Sequence, residues 1–370
     1  MQKFVSLLFE RLMKSWSWVL LVLLCISIKW LSLYPGLVER YYTYGIYPVI
    51  VAIQRFILGW IPFSIGDLFY GFLVLVLIYR ISGFIRLAVK KQLNRQYFIK
   101  ALQQGIFFFL FIYVSFNLLW GLNYNRQGIA VQLGLKVQRY SLADLDTLTQ
   151  TLKSRLNTYA EQAGPERRDS VRKKKDLFRE SAAIYDGVST EHPFLAYGPR
   201  SLKPSIFSYL GNYLGFQGYY NPFSGEAQVN TTIPPFLEPF VSLHEIAHQL
   251  GYGKENEANF VAFLAGRQSR LPLFRYSMYF DLFNYSYGEM RRRDTAMAKS
   301  LRENLHPVVI ADIREQRAFY QRHRNPVENF VSWGYGNFLK ANNQPGGKET
   351  YNEVVAWLIA YYKKFGVEAL

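Results

Sequence analysis

His244-Glu245-Ile246-Ala247-His248 puts two imidazoles and a carboxylate into one short segment. On a helix, residues i and i+4 share a face with Cβ atoms roughly 6 Å apart. Both rings can therefore turn to one metal ion while Glu245 reaches a water held beside it. For this composition the pattern arises by chance roughly 0.003 times per chain. Val241, Leu243, Ile246, Ala247 and Leu250 give the apolar body of a buried helix, and Gly251 and Gly253 a turn directly after it. A catalytic zinc takes three protein ligands and keeps one position open for water. The single cysteine, Cys25, lies in an apolar run, so the donors must be His, Asp or Glu and no intramolecular disulfide forms. The stretch Lys254 to Phe263 reads as a second helix and offers Glu255 and Glu257 as the third ligand. His306 and His323 have no ligand partner at helical spacing. Tyr219, Tyr220 and His306 are candidates for stabilising an oxyanion.

The elements that must position these groups follow from texture and periodicity. Tyr197 to Pro235 is rich in Gly, Pro, Tyr and Asn, and within it Glu226 to Ile233 alternates as a strand does. Pro234-Pro235 then ends the strand and permits a helix start. The strand around Ala227 to Asn230 is either an edge that pairs with an extended peptide or an ordinary sheet strand. Ser141 is an N-cap with Asp144 three residues on, and Leu142, Leu145, Leu148 and Leu152 keep helical spacing. The charge run Glu166 to Glu180 reads as a solvated helix face. Helices resume after residue 270, through an aromatic-rich stretch, Arg291 to Arg293, and a closing helix near Tyr351 to Lys364. No βαβ alternation occurs, so a doubly wound sheet is disfavoured and a mainly helical α+β fold is expected.

The net charge of +16 is uneven: 12 basic and 3 acidic residues fall within residues 1–100. That excess lies among hydrophobic runs, where it signals topology rather than a nucleic-acid partner, and no basic-aromatic motif accompanies it. Residues 16–33, 65–81 and 101–122 are each about long enough to cross roughly 30 Å of hydrocarbon. Between the first two, Tyr34 to Ser64 is rich in Tyr and Trp and holds Gln54 and Arg55; an interfacial helix is expected there. Lys3, Arg11 and Lys14 precede the first span, and Arg80, Arg86, Lys90, Lys91, Arg95 and Lys100 separate the second and third. Both segments are expected on the cytoplasmic side. The expected organisation is thus a membrane anchor over residues 1–122 and an extracytoplasmic domain over 123–370. A channel or transporter is disfavoured, because the spans hold few ionisable residues near their middles.

GYYNPFSGEAQVN, PFVSLHEIAHQLGYGKENEANFVAFLA, NFLKANNQPGGKETYNEVV and WIPFSIGDLFY together resemble an uncharacterised bacterial membrane family, domain of unknown function 3810, over most of the chain. That resemblance implies N-terminal spans followed by a zincin-like domain in a bacterial inner membrane. More distantly, H-E-x-x-H followed by E-x-x-A-N looks like the gluzincin type of metallopeptidase. By that likeness His244, His248 and a glutamate bind one zinc per chain and Glu245 is the general base. Glu255 is favoured over Glu257 because Asn259 follows it by four residues, resembling the E-x-x-x-D arrangement in which the later residue orients a ligand histidine. Asn259 in place of aspartate, and the short spacer between His248 and Glu255, are departures from that pattern. The implied function is a membrane-anchored zinc metallopeptidase acting on a peptide or protein, with lipid bilayer and no nucleic acid as further partners. The alternative is a non-catalytic, zinc-stabilised, membrane-tethered binding or assembly protein.

Overall fold

The computed structural model describes residues 15–163, 173–347 and 353–370. Three helices in it are long and apolar enough to cross a membrane: α1 (Ser15–Ser32), α3 (Ile65–Val89) and α4 (Arg95–Leu119). Their bounds differ from the hydropathy reading because helix continues beyond the apolar run into the basic segment: α3 reaches past Arg86 and α4 starts at Arg95. Ser64 and Asn94 cap α3 and α4, accepting from the backbone N–H of Asp67 and Tyr97. At its other end α4 gives way at Trp120 to a 3₁₀ turn, Gly121–Asn125. Lys3, Arg11 and Lys14 lie outside the described residues.

Between the first two spans, a π-helical stretch, Val38–Ile46, leads into α2 (Tyr47–Leu58). Its 12 residues rise roughly 18 Å, short of a crossing. Tyr47, Val51 and Arg55 face inward, whereas Val49, Ile53 and Phe56 are exposed. The inward face accounts for the polar pair within this apolar stretch. Gln54 donates to Pro222 O, and Arg55 to the carbonyls of Gly225, Pro199 and Gln249.

The remainder is mainly helical around a small sheet. A capping box of Ser141 and Asp144 opens α5 (Leu142–Gln162), whose Leu145, Leu148 and Leu152 are fully buried. α6 (Lys174–Glu191) follows; the earlier part of the Glu166–Glu180 charge run, through residue 172, falls outside the described residues. The strands are β1 (Leu202–Pro204), β2 (Gly218–Asn221) and β3 (Glu226–Val229), with α7 (Ser208–Leu214) between β1 and β2. β3 lies in the middle of the sheet, parallel to β1 and antiparallel to β2, with Leu202 opposite Ala227 and Gly218 opposite Val229. The segment weighed as an edge strand is therefore the central one, since both its sides are hydrogen-bonded, and β1 and β2 are the edges. Next come α8 (Glu238–Gln249), α9 (Glu255–Gly266), α10 (Pro272–Arg293), α11 (Thr295–Arg302), α12 (Pro307–His323), α13 (Pro326–Ala341) and α14 (Val354–Phe365). Tyr351 and Asn352, expected to open the closing helix, lie outside the described residues. α10 packs along α5, with Tyr159 stacked on Tyr279 at 5.5 Å. α8, α9 and α10 bury Ile246, Phe260, Phe263, Phe280 and Phe283 in one continuous apolar core.

Buried charge ties the spans to this core. Glu226 on β3 pairs with Lys203 on β1 at 2.5 Å and accepts from the backbone N–H groups of Ile65 and Gly66, at the N-terminus of α3. A carboxylate is favourable there because the first turn of a helix leaves its N–H groups unpaired and carries partial positive charge. Lys203 also donates to Leu58 O and Phe63 O. Nearby, Asp67 accepts from Ile206 N at 2.6 Å. On the opposite flank Arg126 forms a bidentate pair with Glu39, at 3.0 and 2.7 Å. Removing one partner of a buried pair leaves an uncompensated charge, which costs about 3–5 kcal/mol. Lys203→Met is therefore expected to lower unfolding stability of the full-length protein in detergent micelles by about that amount. A loss below about 1 kcal/mol would show that this pair does not couple sheet to span.

Candidate metal centre

α8 is buried along its whole length, and α9 runs beside it. His244 and His248, one turn apart, project from one face with ring planes at 89° and centroids 4.6 Å apart. Each ring is fixed by its Nδ1: His244 by Asn259 Oδ1 at 2.8 Å, His248 by the carbonyl of Tyr252 at 2.8 Å. Both Nε2 atoms are thereby aimed at one Glu255 oxygen, at 3.2 and 3.5 Å. Ligands about 2.0–2.1 Å from one tetrahedral ion stand roughly 3.3 Å apart, so the three donors fit a single metal. They form the metal-competent cluster found among the described residues.

Of the two carboxylates left open by the sequence, Glu255 is the one brought to the histidines. Glu257 points away, toward Gly128 and Lys254, with its Oε1 3.6 Å from Lys254 Nζ. Spacing explains the difference: two residues on a helix are about 200° apart, so the two glutamates leave opposite faces. Asn259, one turn beyond Glu255, takes the histidine-orienting position. Tyr335 on α13 donates to the other Glu255 oxygen, and Gln344 accepts from the Glu255 backbone N–H.

Burial alone would raise the Glu255 carboxyl, but His248 and His244 outweigh it and hold the group well below the ordinary range. Burial pushes His244 down. For His248 the facing Glu255 overcomes burial and raises the ring to about 9. A carboxylate kept ionised between two imidazoles is a donor set that favours a divalent cation. Glu245 lines the same cleft as the two histidines and Glu255. Burial pushes its carboxyl up to about 8, and its Oε2 has no hydrogen-bond partner among the described residues. Strand β2 passes close by: a Cβ on Gly218 would come within 2.4 Å of Glu245 Oε1, so only glycine admits the carboxylate there.

The end of α8 is held by residues far earlier in the chain. Trp120 Nε1 donates to His248 O, Tyr47 Oη and Arg55 Nη2 to Gln249 O, and Arg126 Nη1 to Gly251 O. These donors satisfy carbonyls that a helix C-terminus otherwise leaves unpaired. Gly251 has a φ of +84°, and Asn123 lies within 3.2 Å of where its Cβ would be. A side chain there would be strained and would crowd Asn123.

The cleft above the cluster has a volume of about 530 Å³. Aromatic residues from distant parts of the chain wall it, among them Tyr70 and Phe116 from the spans, Trp120 and Tyr124 after them, Tyr285 from α10, and Tyr335 and Phe338 from α13. Asp281, whose carboxyl burial raises to about 7, also lines it. Of the oxyanion candidates, Tyr219 and Tyr220 line the cleft, but the Tyr219 hydroxyl is bonded to Asp67 and Ser205. His306 is elsewhere: its ring accepts from Val308 N and caps α12. His323 likewise binds the Phe319 carbonyl, within its own helix.

Residues 42–359 match the family described as "Protein of unknown function (DUF3810)". The chain belongs to that family. No curated protein and no solved structure matches it significantly. The DUF3810 match takes in α2, the second and third spans, the sheet and both metal-centre helices.

The geometry sets an order among substitutions. In a titration of the full-length protein with Zn²⁺, His244→Ala and Glu255→Gln are expected to abolish stoichiometric binding, whereas Glu257→Gln retains it. Asn259→Ala should weaken binding about 10–100-fold, because the ring it orients is left free to turn. Equal loss from Glu255→Gln and Glu257→Gln would overturn the assignment of ligands.

Proposed function

We propose that this protein is a membrane-anchored, zinc-dependent metallopeptidase with a zincin-like catalytic domain. The observation that carries the reading is the convergence of His244 Nε2, His248 Nε2 and Glu255 Oε2, beside a Glu245 carboxylate that faces the cleft. Nitrogen and carboxylate donors at this spacing suit zinc. The sheet supports the zincin reading, because its edge strand β2 borders the cleft next to the motif helix.

When bound, zinc supplies a Lewis acid that polarises a carbonyl and lowers the pKa of water. The residues supply the rest. Asn259 and the Tyr252 carbonyl hold the two imidazoles in their tautomers, and Tyr335 steadies Glu255. Glu245 takes a proton from the attacking water as oxygen bonds to the scissile carbon, then delivers it to the amine as the carbon–nitrogen bond breaks. An upward-shifted carboxyl suits that exchange, since its two protonation states are close in energy near neutral pH. The substrate backbone pairs with the free edge of β2 by strand addition. The basic segment between α3 and α4 lies at the ends of the spans remote from the cleft, which supports an extracytoplasmic catalytic domain on the bacterial inner membrane.

Glu245→Gln is expected to keep one zinc per chain and to lose peptide hydrolysis by about 10²–10⁴-fold. Chelation of the wild type should abolish turnover, and added zinc restore it. Zinc bound by both proteins with no hydrolysis by the wild type over a broad peptide library would favour a zinc-stabilised binding protein instead.

A further inference from the structure

The surface around the cleft mouth is unlike that of a soluble domain. Residues 205–216, SIFSYLGNYLGF, carry no charge, nor do residues 329–339, NFVSWGYGNFL. Yet these segments form α7 and α13, which pack together and point large apolar groups outward. Phe330 is 71% exposed, Trp333 67% and Tyr209 66%, with Ile206, Leu210 and Val327 beside them. Between Pro326 and Phe338 the exposed positions of α13 hold no charged residue, Glu328 being half-buried and Lys340 exposed only at the far end of the helix. A water-facing helix normally carries its charges on that face, and a contiguous exposed apolar patch marks an interaction surface.

What covers this patch follows from its neighbours. Phe207, just before α7, reaches α3 at Gly71, where a Cβ would lie 3.6 Å from the Phe207 ring. From Ile65 to Gly71 the helix rises roughly 9 Å into the span. On the other side, Phe338 of α13 packs on Phe116 of α4, ring centroids 5.9 Å apart, within the third span. The patch is thus continuous with the apolar surface of two spans, and below their domain-side ends. Tyr70 and Phe116 from those spans, with Val331 and Ser332 from α13, are also walls of the cleft.

Resting on the peptidase reading for its chemistry, we infer that α7 and α13 dip into the lipid leaflet and that the cleft between them and the spans admits its substrate sideways from the bilayer. The substrate class is a membrane-anchored peptide, acylated or continuous with a transmembrane segment, whose extended part reaches the β2 edge. Trp and Tyr at the patch suit the headgroup boundary, and a helix pair whose charged side chains, Glu328 and Lys340, lie only toward the two ends of α13 buries its apolar face there.

The test uses the full chain with Cys25→Ser, in nanodiscs of phosphatidylcholine and phosphatidylglycerol. An environment-sensitive fluorophore is attached at Phe330→Cys or, as a control, at Lys299→Cys on α11. The label at 330 is expected to lose about half its emission to nitroxide-bearing lipid and to be shielded from iodide, with the reverse at 299. Equal iodide access at both sites overturns the lipid-facing surface. In a second arm, Phe330→Asp with Trp333→Asp should reduce cleavage of an acylated peptide about tenfold and leave the same peptide without its acyl chain unaffected. Equal effects on the two peptides overturn sideways entry. A wild type that cleaves neither peptide removes the peptidase reading, while the quenching result still decides the surface by itself.

Discussion

Glu226 lies at the joint between two environments. Its carboxylate closes the N-terminus of a helix long enough to cross a membrane, while its backbone belongs to the central strand of the sheet. The electrostatic need is mutual: the helix end presents unpaired N–H groups, and a buried carboxylate is tolerable only when paired and hydrogen-bonded. Lys203, from the neighbouring strand, supplies the balancing charge and binds the carbonyls that lead into α3. Sheet position, and so the line of β2 across the cleft, is thereby referred to the axis of α3. Glu245 can face that cleft only because β2 offers Gly218 at the point of closest approach.

The helix that carries the two histidines is held by interactions of two kinds. Its apolar faces are packed in the core with α9 and α10, which fixes its position but leaves its rotation and its end to be settled by polar contacts. The polar contacts are concentrated at the carbonyl end, where Trp120, Tyr47, Arg55 and Arg126 meet the last turn. Because the second histidine contributes one of those carbonyls, its ring is anchored through the backbone as well as through Nδ1. Precision of this sort, rather than the mere presence of three donors, is what a metal site requires.

Groups within one helical turn of each other were legible in the sequence. His244, Glu245 and His248 declare themselves by spacing, and the Glu255–Asn259 relation is visible because both lie on one short helix. The capping box at Ser141 and the strand at Glu226 were readable for the same local reason. Tyr335, Gln344, Trp120 and Asp281 were not, since they reach the site through tertiary packing and carry no local pattern. Gln54 and Arg55 stood out as polar residues in an apolar run, a signal whose meaning, donors aimed at carbonyls of nearby loops and of α8, required the fold. The strand's place in the sheet was also hidden: alternation shows that a segment is extended, and says nothing of how many neighbours it has.

The donors that complete α8 precede the carbonyls they bind by between 125 and 202 residues, so this helix closes on contacts of very long sequence separation. A ribosome delivers the spans and α2 first and the histidines much later. Until residues 47–126 are in place, the carbonyl end of the helix has nothing to bind, and folding that waits on such distant contacts is slow. Order of synthesis thus becomes a safeguard: the helix end is finished on apolar helices made before it, and a chain in which those helices were misplaced would lack the parts that hold its second histidine in line.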